Sequence, residues 1–159
     1  MIGRREFAAL GLGAVALAAL DTKAVAAKED HAGHGDHMGL SDSERGCAKA
    51  CSDCQRECDS CAHHCAIMAS EGKKEHLTTL ATCMDCADIC AAASQIVSRS
   101  GAFAMLICRV CAEACARCGK ECEKFPKDAH MKRCAEECRR CEKACRNMKP
   151  SAGRAGRDA

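Results

Sequence analysis

The stretch CAKACSDCQRECDSCAHHC, Cys47 to Cys65, decides the fold. Its thiols stand at Cys47, Cys51, Cys54, Cys58, Cys61 and Cys65, a spacing of 4, 3, 4, 3, 4. Residues three and four apart share one face of an α-helix, so these sulphurs form a ladder along a single stripe. That is the a/d rhythm of a helix seam, with cysteine in the place of leucine. Three further runs keep the beat: Cys83, Cys86, Cys90; Cys108, Cys111, Cys115, Cys118, Cys122; and Cys134, Cys138, Cys141, Cys145. Four such stripes turned inward predict an all-α, antiparallel up-down-up-down four-helix bundle with a cysteine-lined core.

Punctuation around the runs sets the helix limits. Ser41 to Glu44 reads as a capping box opening a first helix from about Asp42 to Ser70, stopped near Gly72. A second helix is predicted from about Lys74 to Ser98, its seam running His76, Thr79, Cys83, Cys86, Cys90, Ala93, Val97 before Ser100-Gly101 breaks the chain. The third spans about Ala102 to Lys124, its seam continuing to Phe125. Pro126 suits the first turn of a fourth helix that runs to about Met148 and is stopped by Pro150. Connections this short make consecutive helices antiparallel. The bundle therefore occupies residues 41–149.

Composition narrows the function. With 24 Lys and Arg against 22 Asp and Glu, the net charge of +2 gives no basic surface for nucleic acid or an anionic membrane. Trp and Tyr are absent and Phe occurs three times, so small side chains must fill the core. Reduced cysteine, present 18 times, packs as a small hydrophobe.

The flanks read differently. Residues 1–26 look like an export signal: Arg4-Arg5-Glu6-Phe7 resembles the twin-arginine core, although Gly3 stands where Ser or Thr is usual, and Ala24-Val25-Ala26 offers a cleavage site. The expectation is a periplasmic protein. The apolar run Ala8 to Leu20 is shorter than the ~20 residues of a membrane anchor. Residues 27–40 are polar and Gly-rich, predicting a flexible linker. Its His31, His34, His37 and Met38 are either a weak metal-capturing tail or a solvated linker that contains histidine. The tail, residues 150–159, reads as disordered.

Antiparallel order collects different residues at the two ends. One end gathers Met68, His76 and Met131 on the seams with His63, His64 and His130 alongside, suggesting a metal-permeable mouth. His64 and His76 are its candidate ligands, and His63 and His130 read as surface residues. Met68 and Met131 are equally readable as gap-fillers at a seam terminus. The opposite end holds Val97, Phe103, Ala104, Met105, Leu106 and Met148, an apolar plug.

A thiol core of this kind suits a soft metal, above all Cu(I), which takes thiolate in two- or three-coordinate sites. Cys-x-x-x-Cys and Cys-x-x-Cys each provide a clamp on one helix face. Each bound Cu(I) is balanced by one thiolate, so a filled core stays near neutral. Bridging sulphurs would allow up to roughly 18 ions. Tetrahedral zinc wants four converging ligands, and a continuous ladder is not expected to form closed quartets. Buried thiols stay protonated when empty, so loading releases protons and affinity weakens as the pH is lowered.

The four Cys-lined helices resemble the bacterial copper storage proteins, most specifically in Cys61-Ala62-His63-His64-Cys65-Ala66-Ile67-Met68 and Cys118-Gly119-Lys120-Glu121-Cys122-Glu123-Lys124-Phe125-Pro126. The likeness covers about Cys47 to Met148, and the leader is similar to that of exported members. It implies a homotetramer holding many Cu(I) ions inside each bundle, with His64 and Met68 near the mouth. The ladder is fuller than in exported members and closer to cytosolic ones.

Other readings predict different behaviour. A disulfide-stapled bundle is compatible with an even cysteine count, but a continuous seam specifies no pairing. Metallothionein-like zinc or cadmium sequestration would be settled by metal competition. The ferredoxin run ending in Cys-Pro is missing, which disfavours an iron–sulphur protein. His63 and His64 flank no thiol distinguished from the rest, so an enzyme is not expected.

Overall fold

The computed structural model describes residues 39–149 and residue 151. The expected export signal at 1–26, the expected linker as far as residue 38 and the expected tail at 150 and 152–159 lie outside the described residues. Within them the chain forms four helices and no strand: α1 Asp42–Ser70, α2 His76–Ser98, α3 Ala104–Cys122 and α4 Ala129–Asn147. α1 packs on α2 and α4, and α3 packs on the same two, so α1 and α3 face each other diagonally across the core.

α1 covers its expected span. The Ser41 Oγ accepts from the Glu44 N–H at 3.2 Å and the Ser41 N–H donates to Glu44 Oε2 at 2.8 Å, closing the capping box. At its other end Gly72, at φ 92°, takes the left-handed turn that glycine adopts without strain. The N–H groups of Gly72 and Lys73 reach the carbonyls of Ala69 and Met68, forming a Schellman cap.

α2 begins at His76, later than expected, because residues 71–75 are needed to reverse the chain. It ends on the same cap, the N–H groups of Ser100 and Gly101 reaching Val97 and Ile96 carbonyls at 2.9 and 2.7 Å. Here the left-handed position falls on Ser100, at φ 47°, and not on the glycine beside it. Gly101 is needed for close approach instead: a Cβ there would sit 2.9 Å from Ile96 Cγ2 and 3.0 Å from its carbonyl oxygen. α4 departs most from expectation. Pro126 lies in the connecting turn, and Asp128 is the N-cap, its Oδ1 accepting from the N–H of His130 at 2.8 Å and Met131 at 3.3 Å. A side-chain acceptor satisfies orphan N–H groups that proline's ring cannot.

All 18 cysteines are buried, none more than 5% exposed. Buried alanines at 48, 62, 87, 93, 112 and 135 let the helices approach closely. Ile89, Ile96 and Ile107 border this core, whereas Val110 faces outward.

The apolar end is plugged by Val97, Ala104 and Met148 only. Phe103, Met105 and Leu106 are exposed, because the α3 seam passes through Ala104 and Cys108 and leaves 105 and 106 off its stripe. A fully buried carboxylate, Glu44, joins this base. Burial alone would push its carboxyl up, but hydrogen bonds from the Ser41 backbone and hydroxyl, the Ser151 backbone and the Ser100 hydroxyl hold it below the usual value. The segment leaving α4 closes over it, with the Lys149 N–H donating to Ser43 Oγ at 2.8 Å.

Candidate metal centre

Because α1 and α3 run parallel, their two ladders meet rung by rung. Sulphur–sulphur distances are 3.6 Å for Cys47–Cys108, 3.9 Å for Cys51–Cys111, 3.8 Å for Cys54–Cys115, 3.9 Å for Cys58–Cys118 and 4.0 Å for Cys61–Cys122. α4, running the other way, lays Cys145 against Cys47 and Cys51 at 3.7 and 3.5 Å, and Cys138 against Cys54 and Cys58 at 3.9 and 3.7 Å. α2 completes the ring, with Cys83 3.6 Å from Cys118 and Cys90 3.6 Å from both Cys111 and Cys115. All 18 thiols are free. The result is one continuous column of sulphur through the bundle.

The column does contain closed quartets, contrary to the expectation from the ladder alone. Cys51/Cys111/Cys141/Cys145, Cys54/Cys86/Cys90/Cys115, Cys58/Cys118/Cys134/Cys138 and Cys61/Cys83/Cys122/Cys134 each bring four sulphurs within 4.8 Å of one another. Geometry therefore does not exclude tetrahedral zinc; charge does the discriminating. A Zn(II) held by four thiolates carries a net double negative charge, and among the described residues the buried polar ones are Glu44, His76 and Thr79, with no Lys or Arg. An uncompensated charge in such a core costs several kcal/mol. Cu(I) matched one-to-one with thiolate adds no net charge, and overlapping membership suits bridging sulphurs.

Burial pushes the Cys65 thiol, at the His/Met end of the column, up to about 11. Deeper in, hydrogen bonding divides the thiols. Cys134 is drawn down by hydrogen bonds from Cys118, Cys122, Cys138 and Cys58, whereas Cys58 is pushed up by its bonds with Cys118, Cys134 and Cys138. A cation that binds Cys65 must therefore displace a proton.

The column ends at the His/Met pole. Met131, fully buried, is its last rung, its Sδ 3.6 Å from the Cys61 sulphur and 3.8 Å from that of Cys65. His64 Nε2 lies 2.8 Å from Asp128 Oδ2. Burial opposes ionisation of Asp128, yet bonds from His64 and from the Met131 and His130 N–H groups hold its carboxyl below the ordinary value. An ionised carboxylate only accepts, so Nε2 carries the proton and Nδ1 of a neutral His64 keeps its lone pair. His76 is buried, stacks on Phe125 at 4.1 Å, and has an Nδ1 without a hydrogen-bond partner. Its ring lies edge-on to His64 at 6.1 Å. Met68 is half-buried, with the Lys73 ammonium 3.2 Å from its sulphur. His63 is exposed.

Two residues of the poles depart from the sequence expectation. His130 is not a plain surface histidine: it is half-buried, stacks on His64 at 4.7 Å and 4°, and approaches Ser60 Oγ at 3.3 Å. Glu44 is more than a cap: three residues before Cys47, it lies on the seam and is fully buried.

Residues 40–150 match the model of the copper storage protein family. Among solved structures, the cytosolic copper storage protein of Streptomyces lividans with five coppers is 32% identical, with 67% of this chain and 91% of that one covered and a TM-score of 0.62. The Cu(I)-bound copper storage protein BsCsp3 is also 32% identical, with coverages of 67% and 97% and a TM-score of 0.62. The S. lividans protein loaded with 10 copper equivalents is 30% identical, covering 74% and 92%, with a TM-score of 0.64. No curated protein sequence matches. These relatives correct the expectation of a periplasmic protein: the one whose compartment is stated is cytosolic, and the matched region begins beyond the twin-arginine stretch on which that expectation rested. The fold, the buried column of free thiols and the match over residues 40–150 agree: this chain belongs to the copper storage protein family.

Proposed function

We propose that the protein stores copper as multiple Cu(I) ions held by the thiolates of its core. The observation that carries this reading is the sulphur column itself, free and buried along its length, in which every rung touches the next. A carrier needs one or two sites, and a structural zinc protein needs separate quartets. A column of overlapping sites serves capacity. All 18 cysteines are ligands in this proposal, and His64, Met68, His76 and Met131 line the mouth through which copper passes. Neutral imidazole and thioether bind Cu(I) without first losing a proton, which suits transient capture at neutral pH.

The relatives support this: one holds five coppers, and the same protein has been loaded with 10 equivalents. The homotetramer stays part of the proposal, supported by the exposed Leu106 and Val110 beside Ile89 in a groove between α2 and α3. Anaerobic Cu(I) titration against a chromophoric chelator tests the function. A plateau well above about four ions per chain supports a store. Saturation at about one or two ions refutes it.

A further inference from the structure

Copper is not the only cargo whose chemistry the thiol column matches. Within it, some sulphurs form closed triangles in which each touches both others. Cys51, Cys111 and Cys141 lie 3.9, 3.9 and 3.8 Å apart. Cys54, Cys58 and Cys138 are separated by 3.9, 3.9 and 3.7 Å. Cys86, Cys90 and Cys115 lie 4.0, 3.9 and 3.6 Å apart. These three triangles share no member, and each takes its sulphurs from more than one helix. A fourth, Cys90, Cys111 and Cys115 at 3.6, 4.0 and 3.6 Å, overlaps two of them and cannot be filled beside them.

Three thiols converging in a core without a cation fit a trivalent centre that forms three covalent bonds to sulphur and ends neutral. We propose that the column takes arsenous acid as a second cargo, one arsenic(III) in each of the three triangles that share no member. The condensation is As(OH)3 + 3 Cys-SH → As(S-Cys)3 + 3 H2O. Three As–O and three S–H bonds break, three As–S bonds form, each thiol proton leaves on a hydroxide as water, and no oxidation state changes. Neither reactant nor product carries charge, so the core never holds an uncompensated ion. No proton is released to bulk. In that respect arsenic differs from copper, whose binding displaces thiol protons that must leave the buried core. A neutral trihydroxide also enters at the His/Met pole without the desolvation penalty of an ion.

The proposal rests on the reduced, buried column on which copper storage also rests. Its test uses the full chain, reduced and free of metal, incubated anaerobically with sodium arsenite, with a parallel sample titrated with Cu(I). Arsenic per chain is measured by mass spectrometry after gel filtration, and remaining thiols by rapid alkylation in denaturant with peptide mapping. The expected result is about three arsenic atoms per chain. Three thiols should be lost per arsenic, the triangle cysteines protected, and Cys47 and Cys65 still alkylated. Melting should move to higher temperature, since a ligand of the folded state stabilises it. Arsenic affinity should stay level between about pH 6 and about pH 8, while copper affinity rises. A fall in melting temperature, two thiols lost per arsenic, or protection spread over Cys47 and Cys65 overturns the proposal. Copper uptake without arsenic uptake defeats the arsenic assignment alone; failure of both defeats the reduced column.

Discussion

Raising the pH should loosen the empty bundle before it harms the filled one, and Cys65 sets the scale. Its thiol ionises near 9.0 in ordinary surroundings and near about 11 when buried in the fold. Below pH 9 both the folded and unfolded chains are protonated there, and the full stability is present. Between the two values the unfolded chain gives up its proton first, which draws the equilibrium towards unfolding. Above about 11 the loss is complete, and at 1.36 kcal/mol per pH unit it amounts to about 3 kcal/mol from this thiol alone. Urea denaturation of reduced, metal-free protein at a series of pH values measures it, with Cys65→Ala as the comparison. The variant should lose about 3 kcal/mol less than the parent across the window. Copper-loaded protein should show no such loss, because its rim thiols are already thiolates. Parallel pH profiles for parent and variant would refute the reasoning, since they would mean that Cys65 ionises as easily inside the fold as outside.

Other perturbations separate the parts of the molecule. Asp128→Ala removes both the α4 cap and the anchor of His64, and should cost about 1 kcal/mol in denaturation while slowing copper uptake severalfold in stopped-flow. Replacing His64 and His76 together by Ala should slow loading severalfold yet leave the final copper count unchanged. Met131→Leu conserves volume and should change stability by less than about 1.5 kcal/mol, but it removes the thioether rung beside Cys61 and Cys65 and should slow uptake. Gly72→Ala forces a Cβ into the left-handed position and should lower stability by about 1 kcal/mol, read from the urea midpoint.

The rhythm of cysteines made the helices and the inward stripe legible, because period is a property of one helix and is written in its own sequence. α1 was readable to its ends, since Ser41, Glu44 and Gly72 are local signals. The start of α4 was not, because two local signals competed: Pro126 announces a first turn and Asp128 a cap, and only the caps formed by its carboxylate decide between them. Quartets and triangles were illegible for a different reason. They depend on the register between helices, which places Cys51 beside Cys111 and Cys141, and no single run encodes that offset. The pairing of His64 with His130 is likewise a tertiary fact, joining the end of α1 to the start of α4. Glu44 could have been found by extending the seam one turn towards the N-terminus.

The base formed by Val97, Ala104 and Met148, with Glu44 tied to Ser41 and Ser100, has a consequence for order in time. With the His/Met pole as the proposed mouth, a vessel shut at this base behaves as a stack. The earliest arrivals settle deepest, beside Cys47 and Cys145, and the latest wait nearest His64 and Met131. Withdrawal then reverses deposition: the first copper recovered is the last one added, and the ions at the bottom form a reserve that turns over slowest.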